Sequence, residues 1–141
     1  MVLRRVVVTG LGALTPIGNN IEEYWNGLMN GVSGAAPITY FDASKFRTHF
    51  ACELKNFNAE NFLDRKEARK MDRYAQYAMV ASDEAVVDAG FNLEKLDKDR
   101  IGVIWGSGIG GLETFQIEML NFAAGDGTPK FNPFFIPKMI A

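Results

Sequence analysis

Two short runs limit what this chain can fold into more than any other feature. VVVTGLGALTPIG spans Val6 to Gly18, and WGSGIGG spans Trp105 to Gly111. Each is an apolar, strand-like run that breaks into glycines and leads toward a helix. Val6 to Thr9 is uninterrupted and β-branched, the pattern of a strand covered on both faces. Ile101 to Trp105 reads the same way. The pattern between and after these runs is helical. Asn20 followed by Glu23 forms a capping-box arrangement. Ile21, Tyr24, Trp25, Leu28 and Met29 then fall on one helical face, and Gly31 suits the stop. Asp64 caps a short basic helix, RKEARK. A longer helix is expected from about Asp72 to Ala89, ended by Gly90, with a small-residue stripe at Ala78, Ala81, Ala85 and Ala89. Leu112 to Ala124 is amphipathic through Leu112, Phe115, Met119 and Phe122. GDGTP is a turn by composition, and Pro137 suits the first turn of another helix. The order strand, helix, short pieces, helix, strand, helix, new helix is an α/β layered pattern. The final helix barely begins before KMIA closes the sequence. Residues 1–141 are therefore expected to be the first part of a larger fold, incomplete at the C-terminus.

Composition removes several functions. The 141 residues are 48% hydrophobic and 23% charged, as in a globular protein. A net charge of -2 argues against general binding to nucleic acid or a membrane surface. No apolar stretch is long enough to span a bilayer, and the N-terminus lacks a signal-peptide pattern. A cytoplasmic location is the expectation. The single cysteine, Cys52, rules out an internal disulfide, and the single histidine, His49, argues against a histidine metal site. HFAC invites a Cys-His dyad. The segment HFACEL reads as a strand, however, and an odd spacing sends the two side chains to opposite faces. A buried, inert thiol beside a partly exposed imidazole is the expectation.

The glycines suggest a dinucleotide site. In the first run the third glycine of GxGxxG would fall at Thr15, and the reductase variant would need glycines at Leu14 and Pro16. Pro16 also removes an amide that a phosphate would need. In the second run Gly106, Gly108 and Gly111 do spell GxGxxG. The acidic residue at the proper distance, Asp126, sits in a turn with no strand before it. Close backbone packing is the better-supported role for these glycines. The other marked feature is basic. Arg65, Lys66, Arg69, Lys70 and Arg73 fall within nine residues, with Lys66, Arg69, Lys70 and Arg73 at one-face helical spacing. Composition alone favours a solvated face compensated by Asp64, Glu67 and Asp72. The alternative is a docking patch for an acidic partner. Nucleic acid fits less well, because no aromatic residues interleave with the cations.

VVVTGLGALTPIG, DRKEARKMDRYAQYAMVAS, IGVIWGSGIGG and FNPFFIP, in that order, resemble the N-terminal part of the β-ketoacyl-acyl-carrier-protein synthases. The isoleucine of GSGIGG and the Phe-Phe pair resemble the type II enzymes of bacterial fatty-acid synthesis. The resemblance implies a thiolase-like layered α/β/α fold, of which this chain holds only the N-terminal part. It implies no cofactor, a homodimer, and acyl carrier protein, acyl- or malonyl-loaded, as the partner. Lys66, Arg69 and Lys70 would dock that carrier, with Lys130 at the rim. Ile109 would line the acyl pocket of the partner subunit, and Phe135 a pocket near its own active site. The family reaction is a decarboxylative Claisen condensation on a cysteine, assisted by two histidines and a lysine. Cys52 and His49 match none of these positions, so no catalytic residue is expected in this segment. A polyketide ketosynthase or chain-length-factor relative, and a non-catalytic carrier-binding module, are the alternatives.

Overall fold

The structure is a computed structural model that describes residues 3–140. The chain divides into two compact units: Met1–Phe57 with Ala81–Leu96, and Asn58–Val80 with Asp97–Ala141. In the first unit, helix α1 (Ile21–Met29) begins as the sequence dictates. The Asn20 side chain accepts the Glu23 amide at 2.8 Å. Glu23 returns its carboxylate to the Asn19 amide at 2.8 Å, one residue further out than the usual box. The other end is a Schellman stop: Gly31 N–H donates to Leu28 O, Val32 N–H to Gly27 O, and Gly31 takes φ +63°. A two-residue antiparallel pair follows, β1 (Ala36–Pro37) with β2 (Phe50–Ala51), in the register Ala36–Ala51 and Pro37–Phe50.

Helix α3 (Arg73–Asp88) is the long helix, and Gly90 beyond it has φ +63°. Its small-residue stripe explains the first glycine run. A Cβ on Gly10 would lie 2.1 Å from Ala85 O, and one on Gly12 would lie 1.9 Å from Ala81 O. Any side chain there would drive the segment off the helix. The amides between these glycines also go to α3. Leu11 N–H donates to Asp88 Oδ2 and Ala13 N–H to Glu84 Oε2, each at 2.9 Å. The other Glu84 oxygen accepts the Ile21 amide at 2.8 Å. One carboxylate thus ties α1, α3 and the glycine run together.

In the second unit a 3-10 turn (Ala59–Asn61) leads into α2 (Arg65–Ala68) and the start of α3. A further 3-10 turn (Lys98–Arg100) precedes the second glycine run, followed by α4 (Leu112–Ala124) and α5 (Phe135–Met139). Pro137 sits in the first turn of α5, where its missing N–H costs nothing. Among the described residues no helix is long and apolar enough to cross a membrane.

Four expectations need correction. Neither Val6–Thr9 nor Ile101–Trp105 joins a ladder among the described residues, and neither is covered. Val6 is 89% exposed and Ile104 98%. A doubly covered strand needs neighbours along both edges, and the described segments supply none. The apolar face of α1 is also open, with Trp25, Leu28 and Met29 exposed. That helix packs instead through Gly27, whose Cβ position lies 3.0 Å from Ile17 O. Cys52 is exposed rather than buried, because β2 ends at Ala51. Finally, the short basic helix is shorter than RKEARK: α2 stops at Ala68, before Arg69 and Lys70, and α3 starts afresh at Arg73. Lys66 and Arg73 therefore lie on different helices, and the four cations do not share a face.

Replacing Gly12 with alanine is expected to destabilise the chain by about 2 kcal/mol or more, through overpacking against Ala81. Gly102→Ala, at a position with no atom within 4 Å of the added carbon, is expected to stay within about 0.5 kcal/mol. Urea midpoints of the two variants provide the check.

Candidate functional site

The residues singled out for function all belong to the second unit. The basic segment is set by Asp64, whose Oδ1 accepts the Lys66 amide at 2.8 Å and the Glu67 amide at 3.3 Å. Three of its cations are compensated. Arg65 pairs with Glu60 at 3.2 Å, Lys70 with Glu67 at 2.6 Å, and Arg73 with Glu113 at 3.2 Å. These pairs are exposed and contribute little stability. Lys66 and Arg69 are exposed and carry no ion pair among the described residues. The field of this segment is therefore centred on those two. Lys130 lies exposed in the α4–α5 connection.

The break after α2 is stitched by Gln76, whose Nε2 donates to Ala68 O at 2.8 Å. Lys70, Met71, Tyr74, Met79, Trp105 and Ile140 are among the residues that line a cavity of about 330 Å3 beside the break. Tyr74 donates its hydroxyl to Ile140 O. Burial pushes its phenol above the ordinary tyrosine range, and the Asp72 charge adds to that.

The second glycine run is a loop that ends on two fixed points. Gly110 N–H donates to Ser107 Oγ at 3.1 Å, and Gly111 N–H to Met139 O at 3.1 Å. A Cβ on Gly111 would lie 2.2 Å from Lys138 O, so this position admits only glycine. Glycine has no capping side chain, and α4 begins without a cap of its own. Asp72 supplies it. Its Oδ2 accepts the Thr114 amide at 3.2 Å and also the Thr114 hydroxyl. An acidic group at a helix N-terminus is favourable, and here it occupies the place where a pyrophosphate would sit. Asp126 accepts the Thr128 amide in its turn, at 2.9 Å. That bond, with the Thr128 side chain, holds its carboxyl below the usual range. In the second glycine run the Gly110 and Gly111 amides are thus committed within the protein.

The two pocket candidates differ in setting. Phe135 is half-buried in a row of rings: its centroid is 6.3 Å from Phe115 and 5.6 Å from Phe131, which in turn lies 5.6 Å from Phe122. Ile109 is 75% exposed. His49 and Cys52 are both exposed, and no hydrogen bond joins them among the described residues. Asp72 was legible only as one more charge offsetting the basic run. Its buried position depends on Thr114, forty-two residues away, and no local pattern carries that.

Comparison with known proteins gives the class, a thiolase-like α/β protein of which this chain holds the N-terminal part. The family model described as "Beta-ketoacyl synthase, N-terminal domain" matches residues 3–141. The 3-oxoacyl-[acyl-carrier-protein] synthase 2 of Synechocystis sp. is 49% identical over 138 residues, which cover 98% of this chain and 33% of that protein. Among solved structures, the ishigamide ketosynthase/chain length factor superposes with a TM-score of 0.78 at 34% identity, over 98% of this chain and 34% of the other. A type II polyketide ketosynthase bound to its acyl-carrier protein matches at a TM-score of 0.74 and 22% identity, over 95% of this chain and 35% of the other. This chain belongs to the β-ketoacyl synthase family, and it spans about a third of the length of the relatives it matches.

The different settings of Phe135 and Ile109 give a direct contrast. Phe135→Ala is expected to lower stability by about 1–2 kcal/mol, less than a full core truncation because the ring is half-buried. Ile109→Ala is expected to change it by less than about 0.5 kcal/mol. Urea unfolding of both variants measures the difference.

Proposed function

We propose that this chain is the N-terminal part of a 3-oxoacyl-[acyl-carrier-protein] synthase that elongates acyl chains in fatty-acid synthesis. The observation that carries this reading is 49% identity, over nearly the whole chain, to a protein of that name. In the proposed reaction an acyl group moves from its carrier thioester to a cysteine thiolate, releasing the carrier thiol. Malonyl-carrier then loses carbon dioxide, and the carbanion left behind attacks the acyl thioester, expelling the cysteine thiolate. A nucleophile of this kind needs a lowered pKa. Cys52 lies exposed at the end of β2 and is not assigned that role, so the nucleophile belongs to another part of a longer protein.

This segment contributes recognition. Lys66 and Arg69, both exposed and without an ion pair, are the proposed centre of the carrier-docking surface, with Lys70 and Lys130 beside them. Carrier proteins are acidic, and exposed cations of this kind steer the encounter and set its salt dependence. Ile109 and Phe135 are the proposed acyl-chain contacts. High exposure suits Ile109 to a pocket completed by a second copy, and a homodimer in the cytoplasm is part of the same reading. A polyketide ketosynthase or chain-length factor is the second reading, favoured by the 0.78 TM-score to the ishigamide protein. The residue at the nucleophile position of the full gene product separates the two, since cysteine fits a synthase and its absence fits a chain-length factor.

Lys66→Glu with Arg69→Glu is expected to weaken binding of phosphopantetheinylated acyl carrier protein about tenfold at low salt. The effect is expected to shrink as salt rises past the Debye screening range of about 0.1 M. Titration calorimetry at two ionic strengths measures both, and unchanged affinity would remove the docking assignment. The 141-residue chain alone is expected to release no carbon dioxide from malonyl-carrier. One confirmed turnover would overturn the segment reading.

A further inference from the structure

Asp72, Arg73 and Tyr74 are consecutive, and each reaches a different point of the C-terminal elements. Asp72 holds Thr114 at N3 of α4. Arg73 pairs with Glu113 on the same turn. Tyr74 holds the carbonyl of Ile140, just beyond α5. Asp72 is the buried member, at 9% exposure. Its backbone carbonyl accepts the Ala75 and Gln76 amides and so starts α3. Its carboxylate is thereby free to cap α4, which Gly111 cannot do. The fixed end of the Ile109 loop is thus secured from one side by Asp72 through Thr114 and from the other by Met139 through Gly111. The basic residues Lys66, Arg69 and Lys70 lie immediately before this tripeptide in the chain.

We propose that Asp72 is a positioning residue: its grip on Thr114, supported by Arg73 and Tyr74, sets the placement of the Gly106–Gly111 loop and with it acyl-chain selection by Ile109. The selection half of this inference rests on the proposed synthase function, whereas the grip itself does not. Asp72 touches no substrate and acts through Thr114 and Gly111. A buried carboxylate that serves both the amide and the hydroxyl group of Thr114, on a separate element, is expensive to lose, because the partners are left unsatisfied.

The test uses the intact gene product with Asp72→Asn, Thr114→Val and the double variant. Thr114→Val keeps the amide bond to Asp72 and is the milder change. Amide hydrogen exchange at residues 106–114 is expected to quicken about tenfold in D72N and less in T114V, with the double variant no faster than D72N. The preference between a short and a long acyl primer, as a ratio of kcat/KM, is expected to fall about fivefold in D72N. KM for the carrier is expected to stay unchanged, since the docking cations are untouched. Unchanged exchange at the loop would overturn the grip. Faster exchange with an unaltered primer ratio would reduce Asp72 to a structural residue and overturn the positioning role. If the wild-type protein condenses no primer, the synthase reading and the selection half fall together, and exchange alone decides the grip.

Discussion

The close approach of the first glycine run to α3 is the contact on which the first unit depends. Gly10 and Gly12 lie against the carbonyls of Ala85 and Ala81, at separations where no Cβ fits. The polar side of that approach is equally strict. Backbone brought this near a helix must place its amides, because unsatisfied N–H groups carry a penalty comparable to a lost hydrogen bond. Asp88 and Glu84, one turn apart on α3, take the Leu11 and Ala13 amides. Glu84 then uses its second oxygen to start α1. The small residues permit the distance, and the carboxylates satisfy what the distance exposes.

The beginning of α3 uses the same chemistry in the second unit. Gly111 meets the carbonyl of Lys138 where only glycine fits, and a carboxylate next to α3 again satisfies the nearby amide, this time Asp72, just before the helix, with Thr114. A chain that packs backbone directly against backbone gives up the capping and packing side chains it would otherwise have there. Acidic residues in α3 and just before it restore them from a distance. This accounts for Glu84, Asp88 and Asp72 without a metal or a substrate. It also ties the basic segment, through the residues that follow it, to the loop that carries Ile109.

Local features were readable in the sequence because their causes are local. Asn20 with Glu23, Asp64, Gly31, Gly90 and Pro137 act within a turn of their own positions, and each does what its spacing dictates. The alanine stripe of α3 was readable as a surface for close approach, though its partner was not. Features that depend on distant partners were misread. Val6–Thr9 and Ile101–Trp105 have strand composition but no ladder among the described residues. Their exposed β-branched side chains fit strands whose neighbours belong to the remaining two thirds of the proposed longer synthase. Lys66, Arg69, Lys70 and Arg73 have the spacing of one helical face, but charge spacing is blind to the break that Gln76 stitches at Ala68. Asp72 looked like a compensating charge because its partner is Thr114.

The two glycine runs carry a general point about phosphate-binding patterns. A nucleotide loop and a close-packed loop both need residues without a Cβ, so glycine spacing cannot tell them apart. The destination of the amides can. A phosphate site leaves several N–H groups convergent and unpaired, at a helix end free of negative charge. Here the Leu11, Ala13 and Thr114 amides each end on a carboxylate. An incoming phosphate would have to displace an anion held by the protein's own packing and then face its charge. Glu84 and Asp88 at the first run, and Asp72 at the α4 N-terminus beside the second, therefore set negative charge against the dinucleotide that the glycine spacing suggests.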